Sequence, residues 1–172
     1  MLWPPLCWGH LMTEKEVIEL YDAFAAQEIA IWLDGGWCVD ALVGHQTRAH
    51  ADLDIAVRRC DERAARAVFL SMGFTAERTD DFEWNYTMAN TSNQRVDVHV
   101  FDYGEDGRNT YGVNYPHGSL TGTGILAGHE VRCVAACWMF AFKTAYPPSQ
   151  KDLHDVNALA EKFVFVVPET HR

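Results

Sequence analysis

The stretch from Ile29 to Val57 constrains this chain more than any other. Ile29 to Leu33 is a short apolar, β-branched run, and Asp34-Gly35-Gly36 cuts it off, as expected of a strand ending in a tight turn. Trp37 to Val43 is long enough for a short helix that stops at Gly44. Leu53 to Val57 then reads as a second strand with Asp52 and Asp54 at its entrance. Side chains two apart on a strand share a face, so both carboxylates project together while Leu53, Ile55 and Val57 turn to the core. Two like charges on one sheet face repel, and a sequence shaped only by folding would avoid them. A bound divalent cation removes the conflict, and hard carboxylate oxygens suit magnesium better than zinc.

A later strand, Arg95 to Phe101, repeats the pattern with one carboxylate: Asp97 and His99 share a face, and Val96, Val98 and Val100 pack inward. If this strand lies beside the first, Asp52, Asp54 and Asp97 converge. That is the arrangement of two-metal phosphoryl or nucleotidyl transfer. One ion holds a triphosphate, and the other ion, or the third carboxylate as base, activates an attacking hydroxyl. Gly35 and Gly36 follow a strand and open a helix, so their amides are placed to cradle phosphate oxygens. Taken singly, an Asp-x-Asp pair reads as a solvated face and a Gly-Gly pair as a turn. It is their order along the chain that points to chemistry.

The remaining elements describe an α+β domain. Thr13 and Glu16 form a capping box ahead of a helical stripe of Val17, Leu20, Tyr21 and Phe24. Residues 1–11 precede it as an extension that lacks the basic start of a signal peptide, and is either disordered or the product of an early start codon. Asp61 caps a helix to about Met72, stopped by Gly73; strands Glu83–Ala89 and Arg95–Phe101 flank a polar turn. Asp102 to Gly118 reads as an irregular excursion, and Gly122 to Val134 as a hairpin turning at Ala127-Gly128. Ala135 to Ala145 forms a helix ended by Pro147-Pro148, and Ser149 caps a last helix through about Phe163. The expectation is one domain over 12–167, a mixed and mostly antiparallel sheet flanked by helices, with helices over 135–163 and a tail at 168–172.

Charge narrows the partners. With 24 acidic and 14 basic side chains the net charge is −10, which argues against a general nucleic-acid or anionic-membrane binder. No apolar run approaches the roughly 20 residues that span a bilayer. The five cysteines, Cys7, Cys38, Cys60, Cys133 and Cys137, are odd in number and form no C-x-x-C pair, as in a cytoplasmic protein with reduced thiols.

The segments Trp32-Leu-Asp-Gly-Gly-Trp-x-x-Asp40, Thr47-Arg-x-His-x-Asp52-x-Asp54 and Val96-Asp97-Val-His99 resemble the polymerase-beta-type nucleotidyltransferases, and among them the small antibiotic-modifying members. The likeness is to lincosamide nucleotidyltransferases and, almost as much, to aminoglycoside 2''-nucleotidyltransferase. Lys143-Thr-Ala-Tyr146 and Lys151-Asp152-Leu-His-Asp155-Val extend it toward the lincosamide group, so that it runs from about Thr13 to Phe163. Lys143 stands where such proteins often carry His, and Cys137 where an acidic residue is common; both departures bear on the acceptor pocket. The resemblance implies a nucleotidyltransferase fold, Asp52, Asp54 and Asp97 around two magnesium ions, and Asp97 as general base. It implies AMP transfer from ATP to a hydroxyl of a lincosamide, with release of pyrophosphate, by a monomer or homodimer. An aminoglycoside acceptor, favoured by the net charge, and a non-catalytic antitoxin or regulatory module are the alternatives.

Further residues take expected roles around that centre. Gly35, Gly36, Arg48 and Lys143 are the candidate nucleotide-binding set, with Lys151 beside them; a structural ion pair for Arg48 and surface solvation for the lysines are the plain alternatives. Asp40 fixes Arg48 or orients its loop. His50 and His99 fit hydrogen-bonding roles better than metal ligation, since neither has a thiol or second His at ligand spacing. Asp34 reads as a turn cap. Trp84, Tyr86 and Tyr111, with Tyr103 and Tyr115, are candidates to line an acceptor pocket or stack on adenine, whereas Trp138, Phe140 and Phe142 read as core.

Overall fold

A computed structural model describes residues 10–77 and 83–172; residues 1–9 of the expected extension, Cys7 among them, lie outside the described residues. Helix α1 (Glu14–Ala25) begins at the anticipated capping box: the Thr13 amide donates to Glu16 Oε2 at 2.7 Å and the Glu16 amide to Thr13 Oγ1 at 3.3 Å. It buries Val17, Ile18, Leu20 and Phe24. The chain then runs through β1 (Ile31–Asp34), α2 (Gly35–Val43), β2 (Leu53–Arg58), α3 (Glu62–Ser71), β3 (Thr75–Ala76), β4 (Asn85–Ala89) and β5 (Arg95–Tyr103). It continues through β6 (Asn109–Gly112), the hairpin β7 (Gly122–Leu126) and β8 (His129–Cys133), then α4 (Ala136–Lys143) and α5 (Gln150–Phe163).

One sheet collects all eight strands in the order β3-β4-β5-β2-β1-β8-β7, with β6 pairing β5 off this path. β2 pairs β5 in parallel and β1 pairs β8 in parallel; every other pairing is antiparallel. The sheet is therefore mixed and mostly antiparallel, as expected. Its inward positions read as near-continuous aliphatic rows: Leu53, Ile55 and Val57 on β2, with Val96, Val98 and Val100 on β5, are all buried. Helices α1 and α3 meet through Phe24 and Phe69, whose rings pack edge to face at 5.1 Å. Helix α2 packs with α4 and α5.

Two strands differ from the sequence expectation. β6 lies inside the segment read as irregular, because β5 runs on to Tyr103 and offers an edge to which Asn109–Gly112 pairs. Gly112 makes that pairing possible: at φ +74° its Cα lies so close to β5 that a Cβ would fall 1.9 Å from the Val100 carbonyl oxygen. β3 is only two residues long and has no pattern to announce it. Residues 169–171 form a 3-10 turn that buries His171. Among the described residues Cys38, Cys60, Cys133 and Cys137 are all free thiols, and no helix is long and apolar enough to cross a membrane.

The position of α2 depends on a glycine in the neighbouring hairpin. A Cβ on Gly124 of β7 would lie 2.4 Å from the carbonyl oxygen of Ala41 in α2. Gly124→Ala is therefore expected to force α2 off the sheet and cost about 1–3 kcal/mol, measured as a lower midpoint in urea with an unchanged slope.

Candidate active site

Register places the carboxylates. Asp34 at the end of β1 lies opposite Asp54 on β2, and Asp54 lies beside Asp97 on β5, so three adjacent strands carry an aspartate in one row. Asp52 precedes the same end of β2. Gly35, at φ +56°, brings the backbone directly onto this row, since a Cβ there would stand 2.0 Å from Asp54 Oδ2. Burial, then the charge of Asp34, pushes the Asp54 carboxyl up to about 7; Asp52 and Asp97 add to it and His99 opposes it. Asp97 is steadied from β4, where Thr87 Oγ1 donates to its Oδ1 at 2.6 Å.

Asp34 does more than cap a turn. Its Oδ1 accepts the Gly35 amide at 2.8 Å, and its Oδ2 accepts the Tyr115 hydroxyl at 2.6 Å and stands 3.3 Å from His99 Nδ1. Burial raises the Asp34 carboxyl, but His99, Tyr115 and the Gly35 amide outweigh it and hold it below the ordinary range. Burial lowers the His99 imidazole, and Asp34, with help from Asp54 and Asp97, more than reverses that and raises it. His99 also has Tyr115 Oη at 3.1 Å from its Nδ1. Tyr115, buried in the loop after β6, has the matching response: burial and then Asp34 hold its phenol well above the usual range.

The loop between α2 and β2 is organised by Asp40. This fully buried carboxylate accepts the Thr47 amide at 3.0 Å and the Thr47 hydroxyl at 2.6 Å, and pairs with His50 Nε2 at 2.5 Å. Of the two expected roles for Asp40, orienting the loop is the one seen. Arg48 turns elsewhere: its Nε and Nη2 donate to Asp155 Oδ1 and Oδ2 at 2.7 and 2.9 Å, a two-pronged pair with α5. Lys143, for which surface solvation is the plain alternative from sequence, is buried, with its Nζ 2.9 Å from Asp155 and 3.3 Å from Asp152. It is no solvated lysine. Lys151, in contrast, stays exposed.

Two hollows with a shared border open over Asp34, Asp52 and Asp54, and Asp97 lines neither. A cleft of about 480 Å³ is lined by Asp34, Asp54 and His99 on the sheet side, and by Met139, Phe142 and Tyr146 on the helical side. A groove of about 320 Å³ runs beside it past Gly36, Arg48, His50 and Asp52. Gly35, Asp54, Lys143 and Lys151 border both. Phe142, expected in the core, thus faces the cleft in part.

The expected acceptor aromatics are not here. Tyr86 lies opposite Val98, not Asp97, and so shares the apolar face, where the Arg66 guanidinium of α3 stacks 3.7 Å from its ring centroid. Tyr111 is covered by Arg59 at 4.0 Å and borders a separate hollow with Glu62 and Arg66. Trp84 packs against the hydrophobic core, and Tyr103 against Phe101 at 5.2 Å between ring centroids. The aromatic groups that do reach the cleft are Phe142, Tyr146 and, through Asp34 and His99, the Tyr115 hydroxyl.

A mixed sheet with a Gly-Gly turn opening a helix, and aspartates aligned on neighbouring strands below it, defines a nucleotidyltransferase. The comparisons with known proteins agree and narrow the class. The chain belongs to the aminoglycoside-2''-adenylyltransferase family, whose profile matches residues 16–159. It is 25% identical over 156 residues to a lincosamide resistance protein of Staphylococcus haemolyticus, covering 86% of this chain and 94% of that one. It is 24% identical over 146 residues to a 2''-aminoglycoside nucleotidyltransferase of Klebsiella pneumoniae, covering 80% of each. Among solved structures, the lincomycin-bound lincosamide antibiotic adenylyltransferase LnuA superimposes with a TM-score of 0.78 at 24% identity, over 89% of this chain and 99% of that one. ANT(2'')-Ia bound to adenylyl-2''-tobramycin matches with a TM-score of 0.70 at 18% identity, over 87% and 88% of the two chains. These two structures share the fold.

The crowding at Asp54 has a measurable consequence for stability. Its carboxyl holds a proton to about pH 7 in the folded chain, against 3.8 as an ordinary aspartate. The folded state therefore binds the extra proton between these values, and stability falls as pH rises through that window. In metal-free buffer at about pH 8, Asp54→Asn is expected to gain on the order of 2 kcal/mol over the parent chain. The gain shrinks toward about pH 4, and an equal gain at both pH values contradicts the repulsion.

Proposed function

We propose that the chain transfers AMP from ATP to a hydroxyl of a lincosamide antibiotic, releasing pyrophosphate, as a magnesium-dependent enzyme of the cytoplasm. The observation that carries this reading is the register that sets Asp54 beside Asp97 under the Gly35 turn. A hard divalent ion fits the donor set, which is all carboxylate oxygen, and it answers the raised affinity of Asp54 for a proton. Among the described residues no group of three or more His, Cys, Asp or Glu side chains is placed to hold a metal ion. Magnesium takes one or two carboxylates and fills its shell with water and substrate phosphate. Asp52, Asp54 and Asp97 are the residues to hold two such ions. When bound, they neutralise phosphate charge and make the α-phosphorus easier to attack.

The chain's own groups do the rest. Gly36 presents its amide at the start of α2 to the phosphates, the Gly35 amide being held by Asp34, and Arg48 and Lys143 face the same groove for the β- and γ-phosphates. Asp97 takes the proton of the acceptor hydroxyl as its oxygen bonds to the α-phosphorus and the bond to the bridging oxygen of pyrophosphate breaks. Thr87 orients that carboxylate through its 2.6 Å hydrogen bond. Asp40 and His50 hold the loop that carries Arg48, and His99, bonded to Asp34 and Tyr115, opposes the negative charge around Asp54.

The acceptor reading rests on the helical wall. Met139, Phe142 and Tyr146 offer an apolar surface suited to a compact, partly apolar acceptor. The near-complete coverage of the lincosamide relative, 94% of its length, supports the same choice. An aminoglycoside is the second reading, favoured by the family profile and by a net charge of −10 that attracts polycations. A non-catalytic regulatory module would have no use for three aligned carboxylates.

The test is incubation with ATP, magnesium and either lincomycin, clindamycin or kanamycin, with products read by mass. An AMP adduct on a lincosamide is expected. An adduct on kanamycin alone transfers the reading to the second acceptor class, and no adduct on any of the three contradicts it. Asp52→Asn and Asp54→Asn are expected to abolish turnover while folding normally, and Asp97→Asn to lower kcat by about 100- to 10,000-fold.

A further inference from the structure

The two cations at the phosphate groove, Arg48 part-buried and Lys143 buried, come from distant parts of the chain and are held by one carboxylate. Arg48 lies in the loop entering β2, and Lys143 ends α4. Asp155, in the middle of α5 and fully buried, accepts Arg48 Nε on Oδ1, and both Arg48 Nη2 and Lys143 Nζ on Oδ2. The guanidinium is further fixed by Nη1, which donates to the Ala49 carbonyl at 3.1 Å. Of its five N–H groups this uses three, and the others remain for a ligand.

The direction of the guanidinium matters. A Cβ on Gly36 would stand 2.4 Å from Arg48 Nη2, so the arginine tip lies directly against the first turn of α2. Arg48 and Gly36 thus border the same groove side by side. Lys143 is held from the other side by Asp155 and Asp152, and Asp152 is itself fixed by Ser149 Oγ at 2.6 Å and by the Tyr146 hydroxyl at 2.9 Å. An arginine and a lysine free to sample rotamers would pay side-chain entropy on meeting a phosphate; here that ordering has already happened in the folded chain.

We infer that Asp155 is a positioning residue for nucleotide binding, aiming Arg48 and Lys143 at the β- and γ-phosphates while itself touching neither substrate. The inference rests on the reading of this groove as the triphosphate site. Its particular content is that α5 contributes to affinity for the phosphate tail and not for the nucleoside. Helices α4 and α5 thereby serve both hollows: their side chains wall the larger one and their buried carboxylate sets the cations of the smaller.

The experiment is calorimetric binding of ATP, and separately of AMP, each with magnesium and without acceptor, to the parent chain, Arg48→Gln and Asp155→Asn. AMP lacks the two phosphates in question, so a loss of aim weakens ATP and spares AMP. Asp155→Asn is expected to weaken ATP about tenfold, the scale of one charge-assisted hydrogen bond, and to leave AMP within about twofold. Arg48→Gln is expected to do the same. If Arg48→Gln weakens ATP and Asp155→Asn does not, the positioning role is wrong and the phosphate groove stands. If Arg48→Gln changes neither ligand, the groove reading itself fails. Equal weakening of ATP and AMP by Asp155→Asn assigns the residue to general structure and overturns the inference. Should Asp155→Asn fail to fold, Asp155→Glu replaces it: it keeps the charge that offsets the two cations, displaces them by one methylene, and carries the same expectation.

Discussion

Mutual repulsion among Asp34, Asp52, Asp54 and Asp97 is the constraint around which this molecule is arranged. Three of these aspartates occupy one row across β1, β2 and β5, and burial amplifies the cost of their charge. Each neighbour of the row relieves part of it. The Gly35 amide and the Tyr115 hydroxyl donate to Asp34, Thr87 donates to Asp97, and His99, whose affinity for a proton the aspartates raise, stands beside them. Among the described residues no hydrogen-bond donor reaches the Asp54 carboxyl, and burial with the charge of Asp34 pushes it up to about 7. A chain that keeps such a carboxylate at the centre of its sheet gives up stability there, which the proposed divalent ion would restore.

The opposite wall has the opposite problem and solves it differently. Arg48, part-buried, and Lys143, buried, are cations at the groove, and α5 supplies Asp155 and Asp152 to hold them. Breaking such a buried pair from one side leaves an uncompensated charge and is costly. The groove is thus bounded by aspartates from the sheet and by ordered cations braced from α5, with the start of α2 between. A net charge of −10 is no obstacle to handling a triphosphate when the few cations at the groove are placed this way.

Local signals made much of this legible. Strand alternation separated Asp97 and His99 from Val96, Val98 and Val100, and the capping residues Thr13 and Ser149 marked the starts of α1 and α5. Gly44 and Gly73 marked helix ends in the same way. What stayed hidden was tertiary. Asp34 reads as a turn cap until Tyr115, 81 residues away, is seen to donate to it. Arg48 and Asp155 are 107 residues apart, and nothing local announces that pair. Tyr86 and Tyr111 were misplaced because aromatic residues near a site suggest a pocket, whereas face is decided by register, and Tyr86 pairs with Val98. β6 has a sequence that makes no strand alone and forms only because β5 extends to meet it.

The central claim is that the aligned aspartates exist to share divalent cations with a nucleotide. Electron paramagnetic resonance of manganese, titrated into the chain with saturating ATP, tests it most directly. The account predicts two bound ions per chain, reduced to at most one when Asp54 or Asp97 is replaced by Asn. Manganese bound in equal amount to the parent and to both variants, or no binding beyond that of ATP in solution, would contradict it.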